Sequence, residues 1–285
     1  MKISETHTVE NIIVPIRLQE YAVGIFKTIP TKSGIKKAIK KRRVLVDGRI
    51  ASTALYIKGN ETIELLQEED SPQKKHFKFP IEVLFEDDYL AIIYKPAGIL
   101  VSGNSFATID NALSQNLQKS TLSNATRPRP VHRLDYPTSG LLLIGKTTES
   151  ITTLNRMFEQ KEIQKTYHAI CIGKMERSGE INISIDDKNA FTLFEVIQTT
   201  PSPRFNFFNL VKLNPKTGRK HQLRKHLFAI GNPILGDREY FLEGLILNGK
   251  GLFLHASSLS FTHPFTLEKV NIKKELPKKF KKIFP

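Results

Sequence analysis

The chain is organised around residues 127–146, which read Arg127-Pro128-Arg129-Pro130-Val131-His132-Arg133-Leu134-Asp135-Tyr136-Pro137-Thr138-Ser139-Gly140-Leu141-Leu142-Leu143-Ile144-Gly145-Lys146. Two short apolar runs, residues 131–134 and 141–144, flank a polar turn that Pro137 and Gly140 interrupt. Four consecutive apolar residues after the turn predict a strand that is buried on both faces. The turn is therefore expected at the end of a core strand, which would fix its side chains in space.

Asp135 is the one carboxylate in this turn, and two interpretations of it are open. No other acidic residue occurs between Asp110 and Glu149, and three arginines precede Asp135 closely in sequence. A single acid in a positive field is expected to be ionised at neutral pH and is a candidate nucleophile. The alternative is an ordinary turn residue whose side chain hydrogen-bonds its own backbone.

The composition favours a polyanionic partner. Of the 285 residues, 43 are Lys or Arg and 28 are Asp or Glu, which gives a formal net charge of +15. An excess of this size favours binding to nucleic acid. The 40% hydrophobic and 25% charged residues are typical of a globular protein, and the length suffices for a sizeable core.

Membrane spans, secretion and disulfides are not predicted. No apolar run approaches the ~20 residues that a membrane-spanning helix needs. Residues 1–6 lack the apolar core of a secretory signal, so the protein is expected to be intracellular, in the cytoplasm. Cys171 is the only cysteine, and neither a disulfide within the chain nor a cysteine-based zinc site is expected.

Residues 13–67 are predicted to form a small domain of two helices and short strands. Ser33 is expected to cap the second helix, whose apolar stripe consists of Ile35, Ala38 and Ile39. The other face of that helix carries four lysines: Lys36, Lys37, Lys40 and Lys41. Residues 27–49 include nine basic residues and one acid. The lysines are therefore predicted to contact phosphates, with a merely solvated helix face as the alternative.

Composition also predicts the remaining boundaries. Residues 1–12 are polar and unpatterned and are expected to be a loose lead-in. Residues 68–80 change from acidic to basic around a proline and are predicted to be a linker. A second domain is expected over residues 81–275, followed by a basic tail, residues 276–285, which is interpreted as a frayed end that touches RNA.

Three further motifs lie in the second domain. Lys95-Pro96-Ala97-Gly98 ends a predicted β-hairpin, and Lys165-Thr166-Tyr167 begins a predicted strand. Thr217-Gly218-Arg219-Lys220-His221-Gln222-Leu223-Arg224-Lys225-His226 predicts a turn and then a helix that ends at Gly231. Taken singly, these motifs are also consistent with a plain turn, a packed tyrosine and a solvated basic face. Metal binding by His221, His226 and His255 is a competing hypothesis, but no paired carboxylates support it.

Together, His-Arg-Leu-Asp followed by Thr-Ser-Gly, the Lys-x-Tyr strand and the Thr-Gly-Arg-x-His-Gln-x-Arg helix resemble the RluA-type pseudouridine synthases. The resemblance covers about residues 81–270. Residues 13–67 resemble the S4-type RNA-binding module, which shares the helix pair and the Val44–Gly48 turn. The implied fold is α+β: a small S4-like domain followed by a catalytic domain built on a mixed, largely antiparallel β-sheet flanked by helices.

The resemblance also implies roles for individual residues. Asp135 would be the nucleophile that isomerises uridine to pseudouridine, attacking either the base or the ribose. Tyr167 would pack on the uracil and Arg224 would pair with Asp135. The implied substrate-binding residues are Arg133, His132, Lys95, Thr138 and Arg219. RNA is the implied partner, rRNA ahead of tRNA, and the enzyme is expected to be a monomer that needs no metal, nucleotide or other cofactor.

Two other functions are weighed against this one. A non-catalytic RNA-binding or ribosome-assembly protein could use the same scaffold, although the presence of Asp135, Tyr167 and Arg224 argues against it. A metal-dependent nuclease would need an acidic cluster that the sequence does not show.

Overall fold

The computed structural model describes residues 3–67 and 77–285, and it divides the chain into two compact units, residues 1–75 and 76–285. Most of the predicted linker, at residues 68–76, lies outside the described residues. Each unit has its own hydrophobic core. In the part of the chain that the structure describes, no helix is long and apolar enough to cross a membrane.

The first unit contains a four-stranded sheet and two short helices. Its elements are β1 (Ile3–Thr8), β2 (Ile16–Arg17), α1 (Leu18–Tyr21), α2 (Lys32–Lys40), β3 (Val44–Val46), β4 (Arg49–Ile50), β5 (Tyr56–Ile57) and β6 (Thr62–Leu66). The strand order is β1-β6-β3-β4, and β2 pairs separately with β5. The apolar stripe of α2 is buried as predicted. Lys36, Lys37 and Lys40 are exposed on its other face, and the equally exposed Lys41 is the C-cap of the helix.

Two local predictions for this unit are wrong. Residues 3–8 are not a loose lead-in, because β1 pairs antiparallel with β6 and Val9 is buried in the core. Their mostly polar sequence carries little strand periodicity, and the hydrogen bonds to β6 supply the order that the sequence pattern does not reveal. Helix α2 is capped by Thr31 rather than Ser33, with the Thr31 hydroxyl accepting from the backbone N–H of Gly34 at 3.2 Å.

The second unit is built on one large sheet. Its strands are β7 (Glu82–Glu86), β8 (Leu90–Lys95), β9 (Ala125–Pro130), β10 (Ser139–Thr147), β11 (Gln164–Ile172), β12 (Ser178–Asn182), β13 (Phe191–Ser202), β14 (Asn206–Pro215), β15 (Leu254–Thr262) and β16 (Lys269–Lys273). Its helices are α3 (Ile109–Asn116), α4 (Thr148–Glu159), α5 (Gln222–Ala229) and α6 (Lys278–Lys281).

The strand order within the described residues is β12-β13-β14-β11-β15-β10-β8-β7, with β16 added to β15 and β9 to β10. Most neighbouring strands are antiparallel, whereas β10 and β15 run parallel. The prediction of a mixed, largely antiparallel sheet flanked by helices is therefore confirmed.

Strand β10 lies at the centre of this core, as the apolar run after the turn predicts. Every residue of β10 is buried. Because side chains alternate along a strand, Leu141 and Leu143 pack on one face with Leu154 of α4, and Leu142 and Ile144 pack on the other face against α3. The turn that carries Asp135 comes immediately before β10, so a strand fixed on both faces sets its position.

The prediction that residues 276–285 form a frayed end is wrong. Phe280 and Phe284 are 1% and 7% exposed and belong to the hydrophobic core of the second unit. The Phe280 ring lies 5.4 Å from the Phe253 ring, and Lys279 Nζ donates to the Leu252 carbonyl at 2.6 Å. Two aromatic anchors thus fix a segment whose lysine content suggests a solvated tail.

Gly140 occupies the tightest point between β10 and β15. Its φ is +128°, and an added Cβ would lie 2.7 Å from the Ala256 Cα. We expect Gly140→Ala to lower the free energy of unfolding by about 2–6 kcal/mol, combining backbone strain with overpacking. Thermal and urea unfolding monitored by circular dichroism would measure the loss.

Gly103→Ala is the matched control for this substitution. Its φ of +134° imposes the same backbone strain, but no heavy atom lies within 4 Å of the added Cβ. Equal losses for the two variants would show that the approach of β15 to β10 is not as close as described.

Candidate active site

The second unit contains a cavity of about 700 Å³ that three segments line. The first is the loop of residues 131–138, between β9 and β10, and the second is the entry to β11 at residues 161–167. The third is the turn between β14 and α5, residues 214–223. These segments carry the three motifs that surround Asp135, Tyr167 and Arg224 in the sequence, so the fold brings distant motifs to one cavity.

The loop that carries Asp135 is held by the side chain of Lys95. Lys95 is fully buried, and its Nζ donates to the carbonyl groups of Thr138 at 2.7 Å, Pro96 at 3.0 Å and Tyr136 at 3.4 Å. The Gly98 N–H also donates to the Tyr136 carbonyl at 2.8 Å. Backbone groups on the C-terminal side of Asp135 are therefore fixed from the end of β8.

The predicted substrate contact by Lys95 stays a prediction, and in this structure the lysine binds protein groups instead. The ammonium has no exposed surface, and its three donors are directed at protein carbonyls. Burial lowers the pKa of Lys95 to about 8, while the negative charge of Asp135 acts in the opposite direction. A lysine at the end of a hairpin gives no sequence signal of whether it faces the cavity or the loop.

The Asp135 carboxylate faces two cationic or ionisable side chains. Its side chain is 17% exposed, with Oδ1 lying 3.8 Å from His221 Nε2 and Oδ2 lying 4.0 Å from Arg224 Nη1. Burial lowers the pKa of His221, and the charge on Arg224 adds to this effect against the opposing charge of Asp135. His221 is the N-cap of α5 with a left-handed φ of 55°, and the sequence predicts it only as a ligand in the competing metal hypothesis.

Arg224 reaches Asp135, but other carboxylates hold it more tightly. Its Nε and Nη2 donate to the two oxygens of Asp237, each at 2.7 Å, and Nη2 also donates to Glu239 at 2.6 Å. The Tyr240 ring lies 4.9 Å from the guanidinium carbon. Burial opposes the charged form of Arg224, yet the hydrogen bonds and charges of the two acids outweigh it and raise the pKa of Arg224.

Asp237, Glu239 and Tyr240 are functional candidates that the sequence motifs do not predict. The available signal is the string from Pro233 to Asp237, a turn that ends in an acid shortly after a basic helix. That pattern does not show which arginine the acid pairs with.

Tyr167 and Thr138 both line the cavity. Burial raises the pKa of Tyr167, and the negative charge of Asp135 raises it further, so the phenol is neutral at physiological pH. Thr138 is 2% exposed, and within the described residues its hydroxyl has no hydrogen-bond partner. An unpartnered hydroxyl in a polar cavity is a suitable group for binding a ligand.

His132 and Arg133 differ in their surroundings although they are adjacent in sequence. His132 Nε2 accepts from the Leu143 N–H at 3.0 Å, and burial followed by the charge of Lys165 lowers the pKa of His132 to about 3. His132 is therefore a neutral ring fixed to β10, with part of its surface in the cavity wall. Arg133 is exposed at the cavity lining, and substrate contacts by both residues stay predictions.

Arg219 lies in a turn that Gln222 organises. Gln222 Oε1 accepts from the Thr217 hydroxyl at 2.7 Å and from the Arg219 N–H at 3.0 Å. The Arg219 side chain lines the cavity and donates through Nε to the Asn189 carbonyl at 3.0 Å. The residue is exposed, and its substrate contact also stays a prediction.

The three histidines proposed for the alternative metal site have separate surroundings. His221 pairs with the hydroxyl of Tyr240, His226 with that of Thr192 and His255 with that of Ser139. Among residues 3–67 and 77–285, no group of three or more His, Cys, Asp or Glu side chains is arranged to hold a metal ion.

Residues 89–229 match the family described as RNA pseudouridylate synthase. Together with its relatives, this match shows that the chain belongs to the RNA pseudouridylate synthase family, whose members are isomerases. Ribosomal large subunit pseudouridine synthase D of Nitrosomonas europaea is 31% identical, over 90% of this chain and 80% of that protein. Dual-specificity RNA pseudouridine synthase RluA of Haemophilus influenzae is 35% identical, over 66% of this chain and 90% of that protein.

A solved structure supports the same assignment. Human RNA pseudouridylate synthase domain containing 4 is 25% identical and superimposes with a TM-score of 0.57, covering 70% of this chain and 90% of that one. The predicted RluA-type family is thus confirmed. The S4-like character of residues 13–67 stays a prediction.

We expect stability to depend on Arg224 mainly through Asp237. Arg224→Ala and Asp237→Ala should each lower the free energy of unfolding by about 3–5 kcal/mol, because each leaves a buried charge without its partner. The double variant should lose less than the sum of the single losses, since the two residues contact each other. Arg224→Ala and Asp135→Asn should be nearly additive, and chemical denaturation of all five variants would measure both couplings.

The exposed pair of Arg127 and Asp110, at 3.1 Å, provides the control. Because it is partly solvated, breaking it should cost no more than about 1 kcal/mol. A stronger coupling of Arg224 to Asp135 than to Asp237 would contradict the described geometry.

Proposed function

We propose that this enzyme isomerises specific uridines in structured RNA to pseudouridine and that Asp135 is its nucleophile. The observation that carries the proposal is the placement of the Asp135 carboxylate in a cavity beside Tyr167, with cationic Arg224 at 4.0 Å. Family membership supplies the reaction class. The geometry supplies a carboxylate, an aromatic wall and a positive charge in one place.

The chemistry of the reaction fits such a set of groups. The bond between N1 of uracil and C1′ of ribose breaks, and a bond between C5 and C1′ forms. A proton leaves C5 and N1 gains one, so atoms balance and no electrons are transferred. A nucleophilic carboxylate can attack either the ribose or the base, and both routes stay open. Because no group is donated or oxidised, we predict that no cofactor takes part.

Each cavity group has a task in this scheme. The target base must leave its stack, at a cost of roughly a few kcal/mol in a duplex. The exposed Arg133 can occupy the vacated position, and the neutral ring of Tyr167 can pack on the uracil face. Arg224 provides a fixed positive charge close to the Asp135 carboxylate.

The RNA substrate is proposed at the level of class. One relative is named for the large ribosomal subunit, which supports rRNA as the first candidate, and tRNA is the second candidate. The net charge of +15 and the exposed lysine face of α2 are consistent with binding either. Mapping pseudouridines in cellular RNA with and without this gene would identify the target. A monomeric, cytoplasmic enzyme stays a prediction, which sedimentation and cell fractionation would test.

Asp135→Asn should abolish pseudouridine formation while RNA affinity stays within about a few-fold, because the carboxylate acts as a nucleophile rather than an anchor. The measurement combines pseudouridine quantification with filter-binding titrations on the same RNA. Asp110→Asn, which alters a carboxylate outside the cavity lining, serves as the control and should retain activity. Addition of EDTA should leave the wild-type rate unchanged.

The results also separate this proposal from its alternatives. A normal rate in Asp135→Asn would remove Asp135 from the mechanism. If the wild type binds RNA but modifies none, the non-catalytic RNA-binding function is the better one. Loss of activity in EDTA would favour a metal-dependent reaction.

The lysines of α2 are expected to bind phosphates. Replacing Lys36, Lys37, Lys40 and Lys41 by Gln should weaken binding to all RNAs alike. The slope of log affinity against log salt should fall by roughly 0.7–0.9 for each lost contact. The same titration on a variant of the exposed tail lysines, Lys278, Lys281 and Lys282, tests whether that segment contributes. An unchanged slope in the α2 variant would mean that its lysine face is only solvated.

A further inference from the structure

Two of the three nitrogens of the Arg224 guanidinium donate to carboxylates, whereas the third has no hydrogen-bond partner within the described residues. Nε and Nη2 donate to Asp237, and Nη2 also donates to Glu239. The side chain is 3% exposed, with the Tyr240 ring packed against it. Nη1 is buried and, within the described residues, has no hydrogen-bond partner, yet it is the nitrogen through which Arg224 approaches Asp135, at 4.0 Å.

The Asp237 carboxylate is also held by contacts other than those with Arg224. It is 2% exposed, and its Oδ1 accepts from the backbone N–H groups of Glu239 at 3.0 Å and Tyr240 at 3.2 Å. The preceding Gly236 has a φ of +77°, and an added Cβ would clash with the Gly251 carbonyl. The carboxylate therefore belongs to a rigid turn, and its two oxygens define the plane and direction of the guanidinium.

This arrangement has two consequences for Asp135. The plane set by Asp237 aims Nη1 at the Asp135 carboxylate without any contribution from Asp135 itself. The negative charges of Asp237 and Glu239 also offset the attraction that would otherwise draw Arg224 into close contact with Asp135. The carboxylate keeps a cation nearby and stays free of a direct hydrogen bond to it, which leaves its oxygens accessible to substrate.

We propose that Asp237 and Glu239 are positioning residues for the isomerisation, which hold Arg224 so that its Nη1 faces Asp135 at the distance the reaction requires. The inference rests on the proposed function of Asp135 and extends it to residues that touch neither substrate nor reacting atoms. A purely structural ion pair predicts a different result, namely loss of stability with unchanged turnover of the folded fraction.

The test compares kcat and KM for pseudouridine formation on one RNA with the thermal midpoint of each variant. Asp237→Asn preserves shape and removes the charge. We expect its kcat to fall about 100-fold, as small misplacements of catalytic groups do, with KM unchanged within about three-fold. Glu239→Gln alters a side chain that is 57% exposed, so it should fold normally and lose about five-fold in kcat, since Nη2 keeps its bond to Asp237.

Two controls separate positioning from stability. Glu86→Gln breaks another buried pair, with Lys146 at 2.7 Å, outside the cavity lining. It should lower the thermal midpoint and leave kcat within about two-fold of wild type. Glu243→Gln removes an exposed acid close to Glu239 in sequence and should change neither quantity.

The outcomes distinguish failure of the proposed function from failure of the positioning role alone. If wild type forms no pseudouridine in any cellular RNA, the proposed function fails and the positioning role fails with it. If wild type is active and Asp237→Asn retains its kcat within two-fold, only the positioning role is overturned. Should Asp237→Asn fail to fold, Glu239→Gln decides, because an unchanged kcat there overturns the inference and a selective fall in kcat supports it.

Discussion

The buried ammonium group of Lys95 fixes the backbone of the loop that carries Asp135 and lines the cavity. It lies at the end of β8, where Lys95 pairs with Gly140 of β10, and its three hydrogen bonds reach the neighbouring Pro96 carbonyl and two carbonyls of the loop on the C-terminal side of Asp135. A buried cation is costly unless its donors are satisfied, and here each donor has a carbonyl in place. The turn after Asp135 is consequently attached to the ends of β8 and β10 rather than being an independent loop. A substrate that enters the cavity meets a carboxylate whose backbone is already fixed.

Electrostatics in the cavity follow a layered arrangement. Asp135 faces Arg224, Arg224 is held by Asp237 and Glu239, and Asp237 is held by backbone N–H groups of its own turn. The two acids oppose the positive charge of Arg224, and neutral backbone N–H groups in turn donate to Asp237. Carboxylates of the protein therefore offset the charge of Arg224, and within the described residues only its Nη1, which lies 4.0 Å from Asp135, lacks a hydrogen-bond partner on this guanidinium.

The parts of this molecule that follow from local periodicity could be predicted from sequence. The apolar run before Gly145 identifies β10, and the stripe of Ile35, Ala38 and Ile39 identifies the buried face of α2, because each pattern lies within one element. Strand β1 and the anchored tail could not be predicted, since both owe their order to partners elsewhere in the chain. The same limit applies to the site. The motifs identify Asp135, Tyr167 and Arg224, whereas His221 and Asp237 depend on side-chain directions that spacing does not encode.

The parallel pairing of β10 with β15 affects the order of folding. Ser139 pairs with His255 and Gly140 with Ala256, so strands more than a hundred residues apart in sequence meet beside the Asp135 turn. Contacts of such separation close large loops and form slowly compared with hairpins such as β7–β8. Leu254, which lines the cavity, lies next to this contact in β15 and pairs with Ala169 of β11. An emerging chain therefore lacks the complete lining of this cavity until β15 has been synthesised and has paired with β10 and β11.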